Sequence, residues 1–193
     1  MKNILFLYGF PRLKKEITPM LEKLKEDHHV VEDPREAEGW ESFTVVAYSA
    51  GIIELLDYCD RSPDLKKKIK EIILIAPAGM RPTNVIRHSG RFSVEIFKTH
   101  RRVEILKKLF AEMIRGGMSF HRKTRRVAHF DLMKETKGFF GVDIKILGNY
   151  NDTLLLKDAP KGFDHELVLE QKGRGHFAPL EIPDYYAGMI KTL

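Results

Sequence analysis

The stretch Phe43-Thr44-Val45-Val46-Ala47-Tyr48-Ser49-Ala50-Gly51 decides the fold. Residues 43–48 are almost wholly apolar over a strand's length, and a run apolar on both faces suits a buried parallel strand. A helix starts directly afterwards, over residues 52–58. Ser49 therefore occupies a tight strand-to-helix turn that projects its hydroxyl above the carboxyl edge of the sheet. The flanking residues must be small where the two backbones approach, and Ala47, Ala50 and Gly51 are. Backbone N–H groups at the helix start are unpaired and can stabilise a developing oxyanion. Read alone, the stretch also fits a plain connection with a serine N-cap.

Working outward, strands and helices alternate. Residues 4–8 form an apolar run closed by Gly9-Phe10-Pro11. Residues 13–27 carry Ile17, Met20, Leu21 and Leu24 at helical spacing, with Pro19 expected near the first turn or dividing the helix from a short lead-in. A short strand follows at 28–32, then an acidic loop or rudimentary helix at 33–41. Beyond the central stretch, Ser62-Pro63 breaks the helix, 65–70 form a basic helical tail, and 71–76 form a fourth strand ended by Pro77-Ala78-Gly79. Strand periodicity returns at 142–147 and again at 165–169. A Gly-rich loop, 173–177, and a last helix from Pro183 to Ile190 complete the chain. Six strands with intervening helices predict an α/β fold: a three-layer α/β/α sandwich around a mostly parallel sheet.

Residues 80–140 differ in character and read as an insertion into a core formed by 1–79 and 141–193. Val103, Leu106, Phe110 and Met113 recur at helical spacing until Gly116-Gly117, and a second helix is expected over 124–137. The insertion holds 15 Lys and Arg against 5 Asp and Glu, a charge of +10, so the remainder carries −4 of the chain's +6. The basicity is local to the insertion.

At 193 residues, 43% hydrophobic, the chain can build one substantial core. Cys59 is its only cysteine, which excludes an internal disulfide framework or a cysteine-based zinc cluster and suits a cytoplasmic location. No run approaches the ~18 apolar residues of a membrane-spanning helix. The run from Ile4 is cut short by Gly9, Pro11 and Arg12, so it reads as a strand rather than a secretory signal.

A serine hydroxyl needs a base, and the base needs an orienting acid. Asp152 follows the fifth strand and His176 follows the sixth. In a parallel sheet both loops leave the edge that carries Ser49. Singly, Asp152 could be a turn residue and His176 one histidine of eight. Their joint placement in the order Ser, Asp, His makes the three a candidate catalytic set. Asp143 begins a strand, at the wrong edge, and Asp158 is a minor rival acid. His88, His100, His121 and His129 lie in the insertion without a compelling carboxylate or cysteine partner, and no metal site is expected.

These motifs resemble those of the α/β-hydrolase superfamily. Leu7-Tyr8-Gly9-Phe10-Pro11 is similar to its His-Gly-x-Pro oxyanion loop, and Ala47-Tyr48-Ser49-Ala50-Gly51 to its nucleophile elbow. Leu147 to Asp152 resembles its acid loop and Gly175-His176-Phe177 its histidine loop. The likeness spans nearly the whole chain, with 80–140 as the variable helical lid and the usual N-terminal antiparallel strands missing. It implies Ser49 as nucleophile, Asp152 as acid, His176 as base, and the backbone N–H groups of Phe10 and Ala50 as oxyanion donors. Gly9, Ala47, Tyr48 and Gly51 would support the elbow and loop. It also implies a strand order 2-1-3-4-5-6. Tyr8 stands where the family often has His, and Ala47 where it often has Gly.

The resemblance implies a carboxylesterase or thioesterase acting without a cofactor on a small-molecule ester or thioester. Most apolar lid residues are expected to pack the lid onto the core, though some could line an acyl pocket. The basic cluster Arg122, Lys123, Arg125 and Arg126 is either a solvated helix face or a receiver for an anionic headgroup, coenzyme A or an acyl-carrier protein. The competing reading is a hydrolase-like, non-enzymatic binding protein whose basic insertion contacts nucleic acid or another anionic partner. No helix-turn-helix, zinc-finger or RNA-binding signature supports a nucleic-acid role.

Overall fold

The computed structural model describes residues 1–78, 82–139, 141–155, 166–170, 173 and 175–193. The turn at Gly79, Leu156, Arg174, the expected strand start at His165 and the rival acid Asp158 lie outside the described residues. Among the described residues one six-stranded sheet runs in the order β2-β1-β3-β4-β5-β6, and all five neighbouring pairs are parallel. The strands are β1 (Asn3–Leu7), β2 (His29–Val31), β3 (Phe43–Tyr48), β4 (Ile69–Ile75), β5 (Asp143–Asn149) and β6 (Glu166–Glu170). The order reverses between β1 and β3, so the loops after these two strands leave the carboxyl edge side by side. That crevice is where open α/β sheets place their ligands.

Each strand shows one side chain to each helical layer in turn. Leu5, Leu7, Val45, Ala47, Ile72 and Leu74 pack on one face, against α3 (Gly51–Arg61), Leu65 of α4 (Pro63–Lys68) and the C-terminal part of the insertion. Ile4, Phe6, Val46, Tyr48, Ile73 and Ile75 pack on the other. There they meet α1 (Lys14–Lys25) and, from the chain's C-terminus, α9 (Ala178–Glu181) and α10 (Pro183–Thr192). This two-sided burial explains the unbroken apolar runs. Pro19 sits inside α1 rather than in its first turn, where the helix continues through it without that N–H. The acidic segment forms only the short α2 (Pro34–Ala37), N-capped by Asp33.

Between β4 and β5 the described chain is helical: α5 (Val85–Lys98), α6 (Arg102–Gly116), α7 (Met118–His129) and α8 (Leu132–Glu135). The sequence reading missed α5 and fused α7 with α8. Gly117, at φ 44°, turns α6 into α7 with a single non-helical residue, so α7 begins six residues earlier than expected. Phe130 is extended and buried, which ends α7, and the Asp131 side chain caps α8 by accepting from Lys134 N–H at 3.1 Å. Among the described residues no helix is long and apolar enough to cross a membrane.

Candidate active site

Ser49 closes β3 at φ 53°, the left-handed region seldom adopted by residues with a side chain. Such a conformation costs on the order of 1–3 kcal/mol and persists only where neighbours over-determine it. Here the Ser49 N–H donates to the Ile75 carbonyl at 2.8 Å, and its carbonyl accepts from Ala78 N–H at 3.3 Å. The glycines follow from backbone approach. A Cβ on Gly51 would stand 2.6 Å from the Leu7 carbonyl oxygen, and one on Gly9 would stand 2.6 Å from Ser49 Cβ. Ala47, fully buried beside Leu7 in the sheet register, fills the strand end before the turn.

His176 lies in a single 3-10 turn, Gly175–Phe177, after the sixth strand. Its Nε2 is 2.9 Å from Ser49 Oγ and its Nδ1 is 2.9 Å from Asp152 Oδ2. A carboxylate only accepts, so the Nδ1 proton faces Asp152 and the Nε2 lone pair faces the hydroxyl. Exposures are 4% for Ser49, 0% for Asp152 and 1% for His176. The second Asp152 oxygen accepts from the N–H groups of Leu154 and Leu155 at 2.8 and 3.2 Å, which fixes the carboxylate plane. Asp143 starts β5 at the opposite edge and lies 3.5 Å from the Lys145 ammonium.

Three supporting residues escaped the sequence reading. Glu95 of α5 is fully buried and takes the His176 N–H at 2.7 Å, the Thr153 N–H at 2.9 Å and the Thr153 hydroxyl at 2.6 Å. Lys98 pairs with it at 2.6 Å and also donates to the Asn151 carbonyl. Burial pushes the Glu95 carboxyl up, but the bonds from Lys98, Thr153 and the His176 backbone outweigh it and hold the group below its ordinary value. Asn149 Oδ1 accepts from both Asn151 N–H and Gly175 N–H, at 3.0 and 3.1 Å. Glu95 and Asn149 thus each tie the acid loop to the histidine loop. The sequence signal for Glu95 was a carboxylate flanked by Val94 and Ile96 on an amphipathic helix.

Tyr48 faces the layer opposite Ala47, and its hydroxyl donates to the His176 carbonyl at 3.4 Å. Burial first, with Asp152, Tyr186 and Glu95 adding, holds that phenol far above its ordinary value, so it is a neutral donor. Tyr8 anchors the first loop by donating to Glu32 at 2.6 Å. Ala50 immediately precedes α3, its N 3.1 Å from where a Gly9 Cβ would stand, and Phe10 follows Gly9 in the chain.

Two hollows meet here. An apolar cavity of about 310 Å³ opens over Ser49, walled by Phe92 and Ile96 of α5, Leu106, Leu109 and Phe110 of α6, and Phe120 of α7. The lid residues were expected mainly to pack on the core. In α6 only Ile105 is buried, whereas Phe110 is 60% exposed and its neighbours face the cavity. A second, polar cleft of about 580 Å³ begins at Ala50 and Gly9 and shares Phe10, Phe120 and Val127 with the first. Of the basic cluster, Lys123 and Arg126 line this cleft, and Arg126 pairs with Asp57. Arg122 and Arg125 are exposed and line neither hollow. Among the described residues no three His, Cys, Asp or Glu side chains gather to hold a metal ion.

No protein-family model matches the sequence, and a search of curated proteins finds no significant match. Solved structures do match in three dimensions. An esterase from Exiguobacterium antarcticum superposes with a TM-score of 0.67 at 11% identity, covering 100% of this chain and 91% of that one. The enol-lactonase of Burkholderia xenovorans gives 0.62 at 11% identity, covering 99% and 90%. Naproxen esterase from Bacillus subtilis gives 0.60 at 14% identity, covering 100% and 83%. At such identities the likeness is one of fold: the chain has the α/β-hydrolase fold.

Proposed function

We propose that this chain, built on the α/β-hydrolase fold, is a serine hydrolase that cleaves an ester or thioester. The observation that carries the reading is the relay of two 2.9 Å contacts, Ser49 Oγ to His176 Nε2 and His176 Nδ1 to Asp152 Oδ2, beneath an apolar cavity. In the proposed reaction His176 takes the Ser49 proton as the oxygen attacks the acyl carbonyl. Asp152 holds the imidazole tautomer and offsets the positive charge that forms. The backbone N–H groups of Phe10 and Ala50 receive the oxyanion. The imidazolium then protonates the leaving alcohol or thiol as its bond to the acyl carbon breaks. Water, deprotonated by His176, adds to the acyl-enzyme, and collapse returns the free acid and Ser49.

The apolar lining of the cavity favours an aliphatic or aromatic acyl group over a charged one. Fluorophosphonate labelling and hydrolysis of p-nitrophenyl butyrate test the reading. Labelling is expected in the wild type and absent in Ser49→Ala, and His176→Ala is expected to lose roughly three or more orders of magnitude in kcat. Equal labelling of Ser49→Ala would refute it.

A further inference from the structure

The polar cleft has a direction. Ala50, Glu54, Asp57 and Arg61 line it from one face of α3, so its floor runs along that helix away from Ser49 for about 16 Å. Its roof is the end of α6, with Arg115, and α7, with Lys123 and Arg126. Arg12, two residues beyond Phe10, closes one side. Five cations therefore face three carboxylates, Glu54, Asp57 and Glu112.

The cations are not equivalent. At the far end Arg126 is committed to Asp57, and Arg61 donates to the Asp57 carbonyl at 2.9 Å. Arg12 and Lys123 have no carboxylate within ion-pair distance among the described residues. Instead the Arg12 guanidinium lies 5.0 Å from the Tyr8 ring centre, and the Lys123 ammonium 5.8 Å from that of Phe10. Both side chains are exposed on aromatic faces, and the Arg12 backbone N–H donates to the Glu112 carboxylate at 3.1 Å. Both also act on Glu54, one helical turn from Ala50: burial raises its carboxyl above the ordinary value against the opposing pull of Arg12 and Lys123. Arg12 and Lys123, without an ion-pair partner among the described residues, thus line the same cleft as Ala50 and Glu54.

Resting on the hydrolase reading, we infer that the cleft receives the leaving group and that Arg12 and Lys123 select one that carries an anion close to the scissile bond. The substrate class is an ester or thioester of a short anionic alcohol or thiol, with an apolar acyl chain in the Ser49 cavity. The anion is a carboxylate or a phosphate, which both cations accommodate. The shared wall of Phe10, Phe120 and Val127 keeps the two halves apart.

Matched pairs test this. S-butyryl 3-mercaptopropionate is compared with its methyl ester, and 1-butyrylglycerol 3-phosphate with 1-butyrylglycerol. Wild type is expected to favour the anionic member by roughly fivefold to tenfold in kcat/KM at low salt. A preference in one pair alone identifies carboxylate or phosphate as the anion read. The preference is expected to fall towards unity in Arg12→Gln/Lys123→Gln and in about 0.5 M NaCl, and to persist in Arg122→Gln/Arg125→Gln. Turnover of all four substrates without preference would overturn the inference and leave the hydrolase reading standing. So would a preference unchanged in Arg12→Gln/Lys123→Gln. Turnover of none would instead overturn the hydrolase reading. Melting in about 10 mM inorganic phosphate then reads the cleft alone: a rise in Tm lost in Arg12→Gln/Lys123→Gln supports the anion site, and no rise refutes it.

Discussion

Replacing Glu95 by glutamine preserves the shape of the side chain and removes its charge. One carboxylate oxygen that serves Thr153 and Lys98, or the one that serves the His176 N–H, then becomes a donor. Hydrogen bonds to charged groups contribute roughly 1.5–3 kcal/mol each. Glu95→Gln is therefore expected to lower kcat about 10–100-fold with KM within about twofold, because it loosens His176 rather than the acyl cavity. A change confined to KM would contradict this. The sign of the acid response follows as well. The Glu95 carboxyl lies below its unfolded value, so its stabilising contribution is complete above the ordinary carboxylate range and is lost as pH falls through the folded value. Urea midpoints should fall more for wild type than for Glu95→Gln between about pH 5 and pH 3. At the elbow, Gly51→Ala forces a Cβ against backbone and is expected to destabilise by about 1–3 kcal/mol in urea unfolding. The three residues proposed to react were legible because each stands in a loop that follows a strand. Glu95 was not, because its burial is set by loops more than fifty residues away in sequence.

The elements of the sheet follow their sequence closely. β3 spans the nearly apolar run ahead of Ser49, since burial on both faces favours apolar residues, and buried Thr44 donates its hydroxyl to Glu71 at 3.3 Å. The insertion was less legible for the same physical reason in reverse. Its helices bury narrow faces, and α5 mixes His88 and Glu95 with Ile96 on the buried side. The break at Phe130 comes from tertiary packing of that ring into the core, which overrides local helix propensity. Only the N-cap Asp131 marked it in the sequence. The open apolar side of α6 carries a prediction of its own. Leu109→Trp adds bulk to the cavity wall and should depress kcat/KM for p-nitrophenyl octanoate much more than for the acetate. Equal losses on both esters would mean that the acyl chain lies elsewhere.

Across the whole molecule, the helical insertion is joined to the acid and histidine loops by the bonds of Glu95. Its first helix supplies the buried carboxylate on which the histidine and acid loops both hang, while much of α6 stands exposed above the sheet. The sheet itself is held by two apolar layers that owe little to that helix. Regions with few buried apolar contacts open at lower free energy than a protein's core. Gentle heating should therefore loosen the insertion first and displace His176, the proposed base, while every strand is still paired. Esterase activity followed on a temperature ramp is expected to fade several degrees before the far-ultraviolet dichroism changes and to return on cooling. Coincident curves would instead mean that the two parts melt as one cooperative body.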